Sequence, residues 1–124
     1  MIPFASHFTF YLYRKPTDMR LSFDGLSGIV TTQLARDPLS GDVYIFLNRR
    51  RDRIKLLVWD HSGFWIFYKR LERGTFELPQ HLGDASAVSL SHEKLMLILH
   101  GIDLDSVKKR CRYHRPFPTQ PAAL

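Results

Sequence analysis

Across 124 residues the chain carries 18 Lys and Arg against 12 Asp and Glu, a formal charge of +6 and a sequence pI near 9.8. Apolar residues make up 44%, among them nine Phe, five Tyr and two Trp, which excludes a disordered polymer and suits one globular domain. The surplus charge favours an anionic partner, nucleic acid ahead of acidic protein or lipid headgroups; lone Cys111 excludes an internal disulfide, and no apolar run nears the ~20 residues that span a bilayer.

The start, "MIPFASHF", has neither a basic n-region nor a long apolar stretch, so no signal peptide is read and a cytoplasmic location is expected. "HFTFYLY" (7–13) alternates: Phe8, Phe10 and Leu12 share one face, His7, Thr9, Tyr11 and Tyr13 the other. It reads as a strand with its polar-aromatic face outward, stopped by Pro16. A helix is expected over 18–35, capped by Thr17 or Asp18, with Phe23, Leu26, Val30 and Leu34 at helical spacing. Gly25 and Gly28 would let it sit close to a sheet. "RDPLSGD" (36–42) ends it.

Three strands follow, at 43–48, 53–60 and 63–71, with a brief further segment, "TFELP", ending at Pro79. The joints "RRRD" and "HS" are short, so neighbours should pair antiparallel as a meander. Ile54, Leu56 and Val58 line one face of the second strand; Arg53, Lys55, Leu57 and Trp59 line the other. "QHLGDASA" (80–87) reads as a linker. A second helix should start at the N-cap Ser91, with Leu90 and Leu95 in staple positions and Gly101 at its end. The fold class is therefore α+β: an antiparallel sheet of four to five strands packed on one helix, the second helix covering an end or edge. One domain spans 1–111, and the basic, proline-rich 112–124 is expected to be poorly ordered alone.

Basic residues gather in three places: Arg49, Arg50, Arg51, Arg53 and Lys55; Lys69, Arg70 and Arg73; and Lys108, Lys109, Arg110, Arg112 and Arg115. A hairpin with arginines at its tip can contact phosphates or enter a groove, and each cation seated on a phosphate releases condensed counterions. The bland alternative is a solvated turn that protects a sheet edge. Tyr44, Phe46, Trp59, Trp65 and Phe67 could stack on bases, but such residues are more often core. Catalysis has weaker support. Asp18, Asp24, Asp60, Glu72 and Glu77 are carboxylates of the type that holds two metal ions, yet their spacing selects no set. Cys111 and His114 have one metal-like spacing without a second pair, and the other histidines are scattered.

Three stretches carry a family pattern: "TDMRLSFDGLSGIV" (17–30), "RDPLSGDVYIFLNRRRDRIKLLVWDHSGFWIFYKRLERGTFELP" (36–79) and "LSHEKLMLILHGIDL" (90–104). With them the chain resembles the small accessory protein, the TnpB or Orf2 type, of bacterial transposons of insertion-sequence family 66. The middle block is the specific part: arginines, "IKLLVWD", a "GF" turn and "FYKRLERG". Two departures stand out: "RLSF" at 20–23 lacks the expected basic-glycine pair, and Arg51 stands where glycine is usual. The resemblance implies a role in transposition beside a larger transposase, with no agreed catalytic residues to carry over; no cofactor is expected. The expected partners are DNA, at transposon ends or as non-specific duplex, the transposase, and a second copy of the chain. A nucleoid-associated location would follow, and no membrane role. Arg20 is expected to pair with Asp24 and Asp52 with Lys55, while Phe23, Trp59 and Tyr68 are assigned to the core.

Overall fold

A computed structural model describes residues 7–78 and 85–101. Its elements in chain order are β1 (Phe10–Tyr13), α1 (Phe23–Thr32), β2 (Val43–Leu47), β3 (Arg53–Asp60), β4 (Gly63–Arg70), β5 (Ala87–Leu90) and α2 (His92–His100). The strands form one open sheet in the order β4-β3-β2-β1-β5. β2, β3 and β4 are the expected antiparallel meander, joined by tight turns with Tyr44 opposite Leu57 and Lys55 opposite Tyr68. β1 runs parallel to β2, Phe10 opposite Val43, because the connection between them is long enough to contain α1. The sheet is thus mixed within an α+β fold.

Alternation along the strands gives the sheet two apolar faces, and a helix covers each. On one, Leu26 and Val30 of α1 pack with Tyr13, Tyr44, Phe46 and Leu57. On the other, Leu95, Ile98 and Leu99 of α2 pack with Phe10, Leu12, Val43, Ile45, Ile54 and Leu56. Two expectations are corrected here. The Tyr11–Tyr13 face of β1 points inward, since the crossover lays α1 over it, and Tyr13 is buried. α2 covers a face of the sheet, not an end or edge, because its stripe meets the second set of alternating residues.

α1 starts later than expected, at Phe23 after Ser22, and Ser22 makes no side-chain capping bond. Asp18 does not cap the helix. Its carboxylate accepts the Arg20 backbone N–H at 2.9 Å and closes a turn ahead of α1. Nor do the helix glycines face a sheet. A Cβ on Gly28 would meet open space, and one on Gly25 would meet Leu21 at 2.8 Å. α2 begins as expected, with Ser91 Oγ accepting the Lys94 N–H at 3.1 Å and left-handed Gly101 closing it. β5 lies partly in the stretch read as linker, held by antiparallel pairing with β1, Leu90 opposite Phe10. Residues 75–78 form no strand; Phe76 is instead buried, its N–H bonded to the Arg51 carbonyl at 2.7 Å.

The polar anchor of the α1 side is Lys55. It is 7% exposed, and its Nζ donates to the carbonyls of Met19 at 2.7 Å and Leu21 at 2.8 Å. β3 thereby ties down the turn that enters α1. Replacing it by methionine keeps the stem but leaves two carbonyls without their donor. We expect Lys55→Met to lower stability by about 1.5–3 kcal/mol in urea titration, the range for hydrogen bonds to charged groups; an unchanged midpoint would show that the anchor is dispensable.

Candidate functional site

The sharpest local feature is the hairpin tip between β2 and β3. Asn48 organises it: its Oδ1 accepts the N–H of Asp52 and of Arg53, each at 3.0 Å, and its Nδ2 donates to Asp52 Oδ1 at 2.7 Å. The Arg51 N–H closes the turn on the Asn48 carbonyl at 3.1 Å. Asp52 is therefore engaged with Asn48, not with Lys55. A second strap comes from the chain after β4, where Leu71 and Phe76 donate their N–H groups to the carbonyls of Asp52 and Arg51. Leu71 and Phe76 are themselves core residues, so the tip is braced from beneath.

The brace fixes an unusual backbone. Arg51 has φ +61°, the left-handed region that favours glycine. This is the position where the family pattern suggested glycine. The arginine bears a conformational cost there and places a guanidinium at an exposed bend.

Arg49 and Arg50 are exposed beside it, and with Arg53 they line a recess of about 640 Å³. The opposite wall is the turn before α1, with Pro16, Asp18, Met19 and Arg20. Arg53 also lines an adjoining recess of about 380 Å³ with Tyr68, Arg70 and Glu72. This follows from register: Arg53 pairs with Arg70, and Lys55 with Tyr68, on one face of neighbouring strands. The two recesses make one cationic trough along the end of the α1-side face.

Two of its cations are locally compensated. Arg20 pairs with Asp18 at 2.7 Å, not with Asp24 as expected, because the turn brings positions two apart together. The side-chain and backbone donors of Arg20 lower the Asp18 carboxyl from 3.8 to about 2, so this pair stays ionised at neutral pH. Arg70 pairs with Glu72 at 3.1 Å. Among the described residues, Arg49, Arg50 and Arg51 make no ion pair, and Arg53 reaches only the Tyr68 hydroxyl, at a long 3.5 Å.

The other candidates are dispersed. Lys55 leaves the set of exposed cations because its ammonium is consumed by two carbonyls. Lys69 projects on the α2 side, where it lines a separate recess with Met96, Leu99 and His100. Arg73 is exposed just beyond β4, and Lys108, Lys109 and Arg110 lie outside the described residues, as do Cys111 and His114. The carboxylates of metal-binding type do not converge. Asp18 and Glu72 hold arginines, the Asp60 carboxylate accepts the Trp65 indole N–H, and Glu77 is buried. Among the described residues no three of His, Cys, Asp and Glu come together. Tyr44 and Phe46 are core, in keeping with the bland reading, whereas Trp65 is 55% exposed. Phe23 and Tyr68, assigned to the core, are exposed at 44% and 50%. Arg20 and Tyr68 were the site residues that sequence reasoning missed. The Asp-x-Arg spacing of the turn was the available signal for the first, and cross-strand register for the second.

The fold and trough define a small α+β module with an exposed arginine-rich hairpin. Its sequence matches the family described as IS66 Orf2-like protein over residues 8–109, and the chain belongs to that family, whose role is accessory to insertion-sequence transposition. Two relatives come from Sinorhizobium fredii (strain NBRC 101917 / NGR234). The uncharacterized protein y4jC is 35% identical over 96 residues, 77% of this chain and 80% of that one. The uncharacterized protein y4hO is 32% identical over 103 residues, covering 83% and 88%. No solved structure matches the chain.

Glycine at the bend would remove both strain and charge. Arg51→Gly is expected to raise stability by about 0.5–1 kcal/mol in chemical denaturation, part of the relief being offset by glycine's greater freedom when unfolded. A destabilised variant would mean that the Arg51 side chain supports the turn.

Proposed function

We propose that this chain is a non-catalytic transposition accessory protein that holds DNA by its phosphates along the hairpin trough. One observation carries the reading: Arg49, Arg50 and Arg51 stand exposed on a braced turn whose own acid, Asp52, is tied to Asn48. A rigid display of guanidinium groups loses little side-chain support when it meets a polyanion, and phosphate contacts give affinity without sequence readout. Arg53 extends the contact along the trough, and the nearby transposase would supply sequence choice. Such a protein would reside with the nucleoid.

The test is a salt series of duplex retention. Each phosphate contact contributes about 0.9 to the slope of log affinity against log salt. Arg49→Ala with Arg50→Ala should therefore weaken binding and reduce the slope by about 2. Unchanged binding by the folded double variant would overturn the reading.

A second observation favours a protein-docking role on the other face. Trp65 is stacked on Phe67 at 6.1 Å, and Phe67 borders an apolar recess of about 400 Å³ lined by Ile54, Leu56, Met96 and Leu99. An exposed indole stacked beside such a recess suits the hydrophobic centre of an interface, with the transposase or a second copy as its partner. Co-purification with the transposase after nuclease treatment, lost in Trp65→Ser, is the expected result.

A further inference from the structure

Tyr68 lines the recess of the cationic trough that holds Arg53 and Arg70, and it is half exposed. Its position is nevertheless fixed. The Lys55 ammonium lies 4.7 Å from the ring centroid, itself pinned by the Met19 and Leu21 carbonyls. Arg53 approaches the hydroxyl, and Arg53 and Arg70 flank the ring in the same recess. A flat, oriented ring flanked by arginines is the combination that takes an unpaired base: the backbone runs over the arginines and the base stacks on the ring. Duplex DNA offers phosphates to the arginines but keeps its bases stacked inside, so it has no use for the ring.

We infer that Tyr68 is a stacking platform and that the trough prefers single-stranded DNA, such as a frayed or nicked end, over intact duplex. This rests on the reading of the arginines as phosphate contacts. The ring also shelters Lys55 from water, so the test must separate shelter from stacking. Leucine preserves an apolar cover over the ammonium but offers no π-face, and phenylalanine preserves both.

The experiment measures binding of the full chain to a thymidine oligonucleotide and to a duplex of equal length at fixed salt. The unmodified protein should bind the single strand several-fold more tightly. Tyr68→Leu should lose about tenfold on the single strand, in the range for one stacked base, and less than twofold on the duplex. Tyr68→Phe should match the parent on both. A single strand carrying 5-iodouracil should cross-link at Tyr68 on irradiation, as mapped by mass spectrometry. Equal losses on single strand and duplex in Tyr68→Leu would overturn the inference, as would cross-links confined to other residues or binding confined to an RNA strand of the same sequence. Failure of the arginine reading looks different: there, Arg49→Ala with Arg50→Ala leaves duplex binding and its salt dependence untouched.

Discussion

A buried ammonium holds fold and trough together. Lys55 sits near the start of β3, on the face that α1 covers, at a position where an aliphatic residue would pack more simply. Burial of a lone cation is costly unless its donors are used. Here two go to carbonyls of the turn before α1, at a point where the chain has left β1 and has not yet begun the helix. The bond pair thus fixes where the α1 connection runs across the sheet. It also fixes the wall that faces the arginine hairpin, and it lies under Tyr68. A side chain that looks in sequence like one more member of a basic cluster is the bolt through the fold on which the exposed members depend.

The hairpin shows the same economy of polar groups. Arginines at a bend commonly fold back onto neighbouring acids, and a flexible tip would let them do so. Asn48 prevents this by engaging Asp52 through both its amide and its carbonyl oxygen. The 71–76 segment then holds the tip from below through two backbone donors anchored by core side chains. The left-handed Arg51 is tolerated because these bonds over-determine the turn. Strain of this sort is kept where position matters more than stability.

Much of the fold was legible because it is written in periodicity. β3 falls at Arg53–Asp60 as its alternation required, and α2 starts at its Ser91 cap and ends at Gly101. The arginine tip was legible from composition and the shortness of its joint. What escaped depends on contacts between distant positions. β5 has four residues with an Ala and a Ser among them, and only its pairing with β1 makes it a strand. The inward tyrosines of β1 look amphipathic until a parallel crossover lays a helix over them; then Tyr44 caps the same cluster with its hydroxyl bonded to the Asp37 carbonyl. Lys55 and Tyr68 exchanged their expected roles for one reason. Register sets them side by side, and the turn at 18–21 reaches the lysine first.

Net charge alone does not locate the positive patch. The acids near the trough are not spread evenly: Asp18 answers Arg20 on one wall, Glu72 answers Arg70 at the far end, and Asp52 is turned into the loop. Each removes one cation from the field or is itself removed from it. Among the described cations that line the trough and its hairpin, those left without an ion pair are Arg49, Arg50, Arg51 and Arg53, a span of one turn and one strand end. Potential concentrated in this way falls off within about 8–10 Å at physiological salt, so it acts on a ligand lying against the hairpin and hardly at all on one that passes elsewhere. The placement of the carboxylates, more than the number of arginines, therefore decides where on this domain the exposed positive charge is concentrated.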